Sequence, residues 1–258
     1  MLIHFAHANG IPSASYSPLF EKLAPHSVIA KPMFGHDSHY PFTKNWVYMA
    51  DELIDYLDLN AQQPVLAVGH SMGALVSFIA ACKKPELFKG VLMLDPPLIF
   101  GLGSWVFRAA KLTGQIDKIT PAGKSKFRRS QWPDRQAAID YFASKPLFQF
   151  ESNCFDAFCH SALEEAADGS VQLAYKVEVE LGIFRNTPHN LKRYNPSKDI
   201  PIKVVFGKQS DASRGHFIIP FCEYFDIPYE QIDGQHMYPL QQPDKTVEII
   251  QSFVSEID

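Results

Sequence analysis

The 258-residue chain is long enough to bury a sizeable core as one large domain, and its 46% hydrophobic and 20% charged content is that of a globular protein. A net charge of −4, with no basic run longer than the one at 124–129, speaks against nucleic-acid binding. Cys82, Cys154, Cys159 and Cys222 lack CxxC or metal-ligand spacing, and no apolar run approaches the ~18 residues that cross a bilayer. Reduced thiols, no metal, no membrane insertion and a cytoplasmic setting are the resulting expectations.

The first predicted element is a short buried strand over Leu2–Ala6, stopped by the turn His7-Ala8-Asn9-Gly10-Ile11-Pro12. Tyr16, Leu19, Phe20 and Leu23 recur at helical spacing, and residues 28–30 read as a second strand. Thr43 can cap a helix running to about residue 59, with Trp46, Ala50, Leu53 and Leu57 on one face. The apolar run at 64–68 is a third strand. It leads into Gly69-His70-Ser71-Met72-Gly73 and then a charge-free, small-residue helix over 74–82.

A serine on a sharp strand-to-helix turn stands above the sheet edge, and flanking glycines let backbone approach closely. The helix start then aims N–H groups at negative charge developing beside the hydroxyl. The alternation of strand and helix predicts a parallel sheet covered on both faces.

Residues 90–94 form a further strand, closed by Asp95-Pro96-Pro97. From 98 to 197 the alternation stops. Helical segments are predicted at 105–112, 133–145 and 154–166, in a stretch rich in Phe and Trp whose aromatics pack mostly on one another. The strand–helix pattern returns at 201–206, followed by Gly207-Lys208-Gln209-Ser210-Asp211. A last strand at 229–232 leads to Asp233-Gly234-Gln235-His236-Met237-Tyr238, and an amphipathic helix over 246–257 closes the chain.

Two of these motifs carry a resemblance. His7-Ala8-Asn9-Gly10 after an early strand, with Gly69-His70-Ser71-Met72-Gly73 after a later one, resembles the α/β-hydrolase superfamily in its esterase- and lipase-like form. The resemblance implies an α/β fold with a mostly parallel sheet and helices on both faces. Residues 1–97 and 198–258 would be its core, 98–197 an inserted, mainly helical cap, and the two leading antiparallel strands of the family would be absent. It implies an oxyanion hole made of the backbone N–H groups of Met72 and Asn9, with Ala8 standing where the family usually has glycine.

The loop at 207–211 resembles the family's acid loop in the variant where Asp follows Ser, so Asp211 is the expected acid, with Asp95 in reserve. Gly234-Gln235-His236 resembles its histidine loop. Imidazole suits that place because it can accept the serine proton near neutrality and return it to the leaving group. The implied order is Ser71, Asp211, His236, with no cofactor. Serine at the attacking position excludes the aspartate-nucleophile branches, the epoxide hydrolases and haloalkane dehalogenases. The implied activity is cleavage of a small-molecule carboxylic ester with a small to medium apolar acyl group through an acyl-enzyme on Ser71. Thioester or carbon–carbon cleavage would use the same groups, and a ligand sensor of this fold would retain them.

Overall fold

The computed structural model describes residues 1–212 and 215–258. Among these, six strands form one sheet in the order β2-β1-β3-β4-β8-β9: β1 (Leu2–Ala6), β2 (Ser27–Ile29), β3 (Val65–His70), β4 (Phe88–Leu94), β8 (Ile202–Gly207) and β9 (Tyr229–Ile232). All five pairings are parallel.

Such a sheet needs cover on both sides, and β3 shows how the sequence meets that demand. Val65 and Ala67 face one apolar cluster, with Met49 and Leu53 of α2 (Thr43–Asn60), Leu75 of α3 (Met72–Lys83) and Ile218 of α10 (Gly215–Phe225). Leu66 and Val68 face the other, with Leu19 of α1 (Ser17–Glu21), Leu240 of α11 (Tyr238–Gln241) and Ile250 of α12 (Pro243–Ile257). The two-residue period of a strand thus feeds two cores from one uninterrupted apolar run.

Between β4 and β8 lie α4 (Leu102–Leu112), α5 (Ile116–Ile119), α6 (Ala122–Ser125), α7 (Arg135–Ala143), α8 (Ser152–Ala162) and α9 (Val177–Arg185). The same stretch holds a small antiparallel sheet, β5-β7-β6, made of β5 (Gln131–Trp132), β6 (Leu163–Glu165) and β7 (Val171–Leu173). The helix expected over 154–166 therefore ends at Ala162, where β6 begins. Helix α9 has no counterpart in the sequence reading, because Gly182 and the β-branched Val177 and Val179 weaken its helical signal.

The insertion shares the core of the main sheet. Trp132, Phe142, Phe148 and Phe158 pack together, with Phe142 4.8–5.4 Å from the other three ring centroids, and they join the same cluster as Leu66 and Leu92. Helix α8 rests on the turn at Ser13–Tyr16, where the Ser15 and Ser161 hydroxyls lie 3.0 Å apart. Its aromatics pack on one another, as expected, and also onto the sheet.

Three histidines are sealed into this fold. His4 sits between the rings of Phe34 and Tyr56, and neither of its nitrogens has a partner among the described residues. Burial holds His4 down to about 3 and His7 to about 4, and keeps His70 well below its ordinary value. All three stay neutral in the fold at pH values where an unfolded histidine, near 6.5, takes up a proton. The unfolded chain therefore binds more protons below about pH 6.5, so this stability is complete above that pH and is lost as pH falls towards the folded values. Each histidine contributes a slope of about 1.4 kcal/mol per pH unit inside its window. Urea midpoints measured from neutral to mildly acid pH should fall steeply. His4→Phe, which fills the same apolar site without a titrating group, should flatten the fall; an unchanged slope would contradict the assignment of His4.

Candidate active site

Ser71 is the first residue after β3 and caps α3 with φ 54° and ψ −116°, a backbone conformation that costs energy for any residue bearing a Cβ. Its neighbours make that turn possible. A Cβ on Gly73 would lie 2.1 Å from the Ala6 carbonyl oxygen of β1, and one on Gly69 would lie 2.4 Å from the Gly73 oxygen. Both contacts are with backbone, which cannot swing aside. Gly73→Ala is expected to cost about 3 kcal/mol or more of stability in urea unfolding, at the upper end of overpacking losses. A loss below about 0.5 kcal/mol would show that the close approach is not needed.

The register brings the end of β4 beside this turn. His70 pairs with Leu94, and the Ser71 N–H donates to the Leu94 carbonyl at 2.9 Å. The next residue is Asp95, fully buried, with φ 47°. Its Oδ1 accepts from the Gly207 N–H at 2.8 Å, and its Oδ2 accepts from the Ser210 hydroxyl at 2.5 Å. The same Oδ2 lies 2.6 Å from His236 Nδ1. An ionised carboxylate only accepts, so Nδ1 carries the proton and Nε2 is left as the acceptor. Among the described residues no hydrogen bond joins Ser71 to His236; contacts of this kind commonly tighten only when substrate binds.

The structure does not bring the expected acid to the histidine. Asp211 is exposed and makes no hydrogen bond to His236 among the described residues, whereas Asp95 makes one. The reason lies in the sheet order. β4 stands between β3 and β8, so a carboxylate at its end reaches the serine turn and the loop after β8 together. Ser210 then takes the place of a carboxylate on that loop and donates to Asp95, while Asp211, one residue on, turns outward.

The histidine loop is held by more than Asp95. The Gly234 N–H donates to Gln209 Oε1 at 2.8 Å, and the Gln209 N–H donates to the Gly234 carbonyl at 3.0 Å. His70 supplies a second anchor. Its Nε2 lies 2.9 Å from the His236 carbonyl oxygen and must donate to it, so its Nδ1 accepts from the Tyr16 hydroxyl at 2.7 Å. Tyr16 in turn lies 3.4 Å from the Ala8 N–H. One neutral imidazole thereby ties the turn after β1 to the loop that carries His236. Tyr16 reads from the sequence as a core residue of a helix, and nothing in its spacing signals this contact.

The N–H groups of Met72 and Asn9 have no acceptor among the described residues. The turn bearing Asn9 is fixed against the start of α3 by the Gly73 N–H, which donates to the His7 carbonyl at 3.2 Å. His7 Nε2 accepts from the Phe34 N–H at 2.9 Å, and Asn9 Nδ2 donates to the Glu180 carbonyl at 3.0 Å. Positive φ falls on Gly10 (74°) and not on Ala8, so alanine at the family's glycine position carries no such strain.

Beside this turn is a recess lined by Asn9, Ile11, Met33, Phe34, Tyr175 and Glu180, with room for about one water. Glu180 is buried against Arg128, 3.0 Å away, and burial pushes its carboxyl up. No group of three or more His, Cys, Asp or Glu among the described residues is placed to hold a metal. No described helix is long and apolar enough to cross a membrane.

A model of the alpha/beta hydrolase family matches residues 5–249. A curated relative, a monoglyceride lipase homolog of Monkeypox virus, is 28% identical over 136 residues, 48% of each chain, so the match spans about half of that relative's length. Two solved structures share the fold at low identity. An E-2-(acetamidomethylene)succinate hydrolase has a TM-score of 0.79 at 21% identity, over 98% of this chain and 91% of its own. An esterase from Mycobacterium tuberculosis has a TM-score of 0.70 at 15% identity, over 99% and 84%.

Proposed function

This chain belongs to the alpha/beta hydrolase family, and from that premise we propose that it is a serine esterase whose nucleophile, base and acid are Ser71, His236 and Asp95. In this reading His236 Nε2 takes the Ser71 proton as the hydroxyl attacks the ester carbonyl. The Met72 and Asn9 N–H groups receive the oxyanion, and Asp95 fixes the imidazole tautomer and stabilises its protonated form. The proton then passes to the leaving alkoxide. Water, activated by the same imidazole, cleaves the acyl-enzyme.

The observation that carries the reading is the His236–Asp95 hydrogen bond at the strand ends, beside the strained Ser71 turn. Residues 98–197 act as a cap in this account. A small to medium apolar acyl group is what the motif resemblance implies; the recess beside the Asn9 turn, with room for about one water, does not itself select it.

The test is a series of p-nitrophenyl esters from acetate to decanoate, run beside the matching acyl thioesters. Turnover should be highest on short to medium esters. Phosphonylation of Ser71 without turnover of any member would favour a ligand sensor instead, and preference for the thioesters would move the substrate class.

A further inference from the structure

Exposed apolar side chains taken singly mean little, because every protein surface carries some; a cluster on one face is different. Among the described residues, ten large apolar side chains are exposed, and six of them fall within residues 101–132: Leu102, Trp105, Val106, Leu112, Ile119 and Phe127. Four lie on α4. Leu102, Trp105, Val106 and Leu112, with the exposed Ala109, follow the spacing i, i+3, i+4, i+7 and i+10, which puts them on one side of the helix. Phe107 and Ala110, displaced around the helix from that stripe, are the residues that α4 buries.

The charge of this stretch is as uneven as its hydrophobicity. Residues 101–132 hold seven Lys and Arg against one acid, in a chain of net charge −4. That acid, Asp117, is taken by Arg185 through two bonds of 2.7 Å. Arg108, Lys118, Lys124, Lys126 and Arg129 are exposed, and none is in an ion pair among the described residues.

We propose that α4 and the basic stretch after it dock this protein on an anionic lipid surface, with Leu102, Trp105, Val106 and Leu112 in the acyl–headgroup boundary and the five cations over the headgroups. A stripe of aliphatic and indole side chains with a fringe of Lys and Arg is the pattern of a helix lying in such an interface. A second copy of the chain fits the face less well. A two-fold contact sets a patch on itself, and here it would bring two stretches of like charge together. An acidic protein partner would engage the cations without needing the apolar stripe, whereas an anionic lipid surface uses both.

The structure supplies its own reporter. Trp105 is 68% exposed, whereas Trp46 and Trp132 are 1% and 2% exposed, so a change in indole emission on binding reports α4. The experiment adds the full chain, at low ionic strength, to vesicles of phosphatidylcholine alone and of equimolar phosphatidylcholine and phosphatidylglycerol. Emission and co-sedimentation are read together. Binding with a blue shift is expected on the mixed vesicles and only weakly on phosphatidylcholine, and salt should weaken it.

Lys124→Gln and Lys126→Gln should each weaken binding about fivefold, and Leu112→Ser about tenfold or more. All three replace exposed side chains, so far-UV circular dichroism and thermal midpoints should match the parent. Binding is read independently of Ser71, so loss of the esterase reading would leave this result standing. Absence of binding to the mixed vesicles overturns the proposal. So does binding indifferent to Leu112→Ser and to both lysine variants, or a vesicle-free dimer that Leu112→Ser splits.

Discussion

Replacing Ser71 by alanine is expected to lower kcat on the best ester of the acyl series by on the order of 10⁵- to 10⁶-fold. Losing a serine nucleophile removes the covalent route altogether, and what remains is the contribution of oxyanion donors and substrate positioning. The variant should fold normally. Ser71 holds φ 54° with a Cβ already present, so alanine adds no clash and removes only the hydroxyl. Equal thermal midpoints with collapsed turnover would assign the loss to chemistry. A reduction of about tenfold or less would mean that another group attacks the substrate.

Asp95→Asn is expected to lower kcat by about 10⁴-fold, and Asp211→Asn by less than about twofold. The first figure follows from what the carboxylate does. With Nδ1 donating to Asp95 Oδ2, Nε2 is an acceptor; an amide at that place can present its NH₂ group and favour the opposite tautomer. The second follows from exposure, since Asp211 lies outside the network and a surface amide there disturbs nothing. Ser210→Ala should fall between the two, because it removes one of the three hydrogen bonds to Asp95 and leaves those from the Gly207 N–H and His236 Nδ1 in place. Equal losses in the two aspartate variants would contradict the geometry, and a larger loss in Asp211→Asn would restore the acid that the loop motif suggested.

The contrast between these two aspartates shows what a sequence can and cannot reveal. β3, the serine turn and α3 are legible because each rests on local rules: an apolar run of strand length, glycines at a close approach, and a helix of small residues. The loop that carries His236 is legible for the same reason, since β9 and the Gly234-Gln235-His236 turn are adjacent in the chain. The acid is not a local property. Choosing between Asp95 and Asp211 requires knowing that β4 lies between β3 and β8, and pairing order is set by packing across 112 residues of sequence separation, as between Asp95 and Gly207. Ser210 at the usual carboxylate place, with Asp-Pro-Pro at the end of β4, is the signal that weighs towards Asp95 once the order is known. The contacts of Tyr16, His70 and Gln209 are likewise invisible in one dimension. The small antiparallel sheet of the inserted stretch is invisible too, because three strands of two or three residues carry almost no periodicity.

The central claim is that one hydroxyl, at Ser71, is made nucleophilic by an imidazole that Asp95 holds in place. The most direct measurement is the rate and site of phosphonylation by a fluorophosphonate, followed by peptide mapping of the adduct in the native chain and in His236→Ala, Asp95→Asn and Asp211→Asn. The account predicts a single adduct on Ser71, formed at the native rate in Asp211→Asn and slowed by orders of magnitude in the other two. An adduct on a different residue, or undiminished labelling of Ser71 in both His236→Ala and Asp95→Asn, would contradict it.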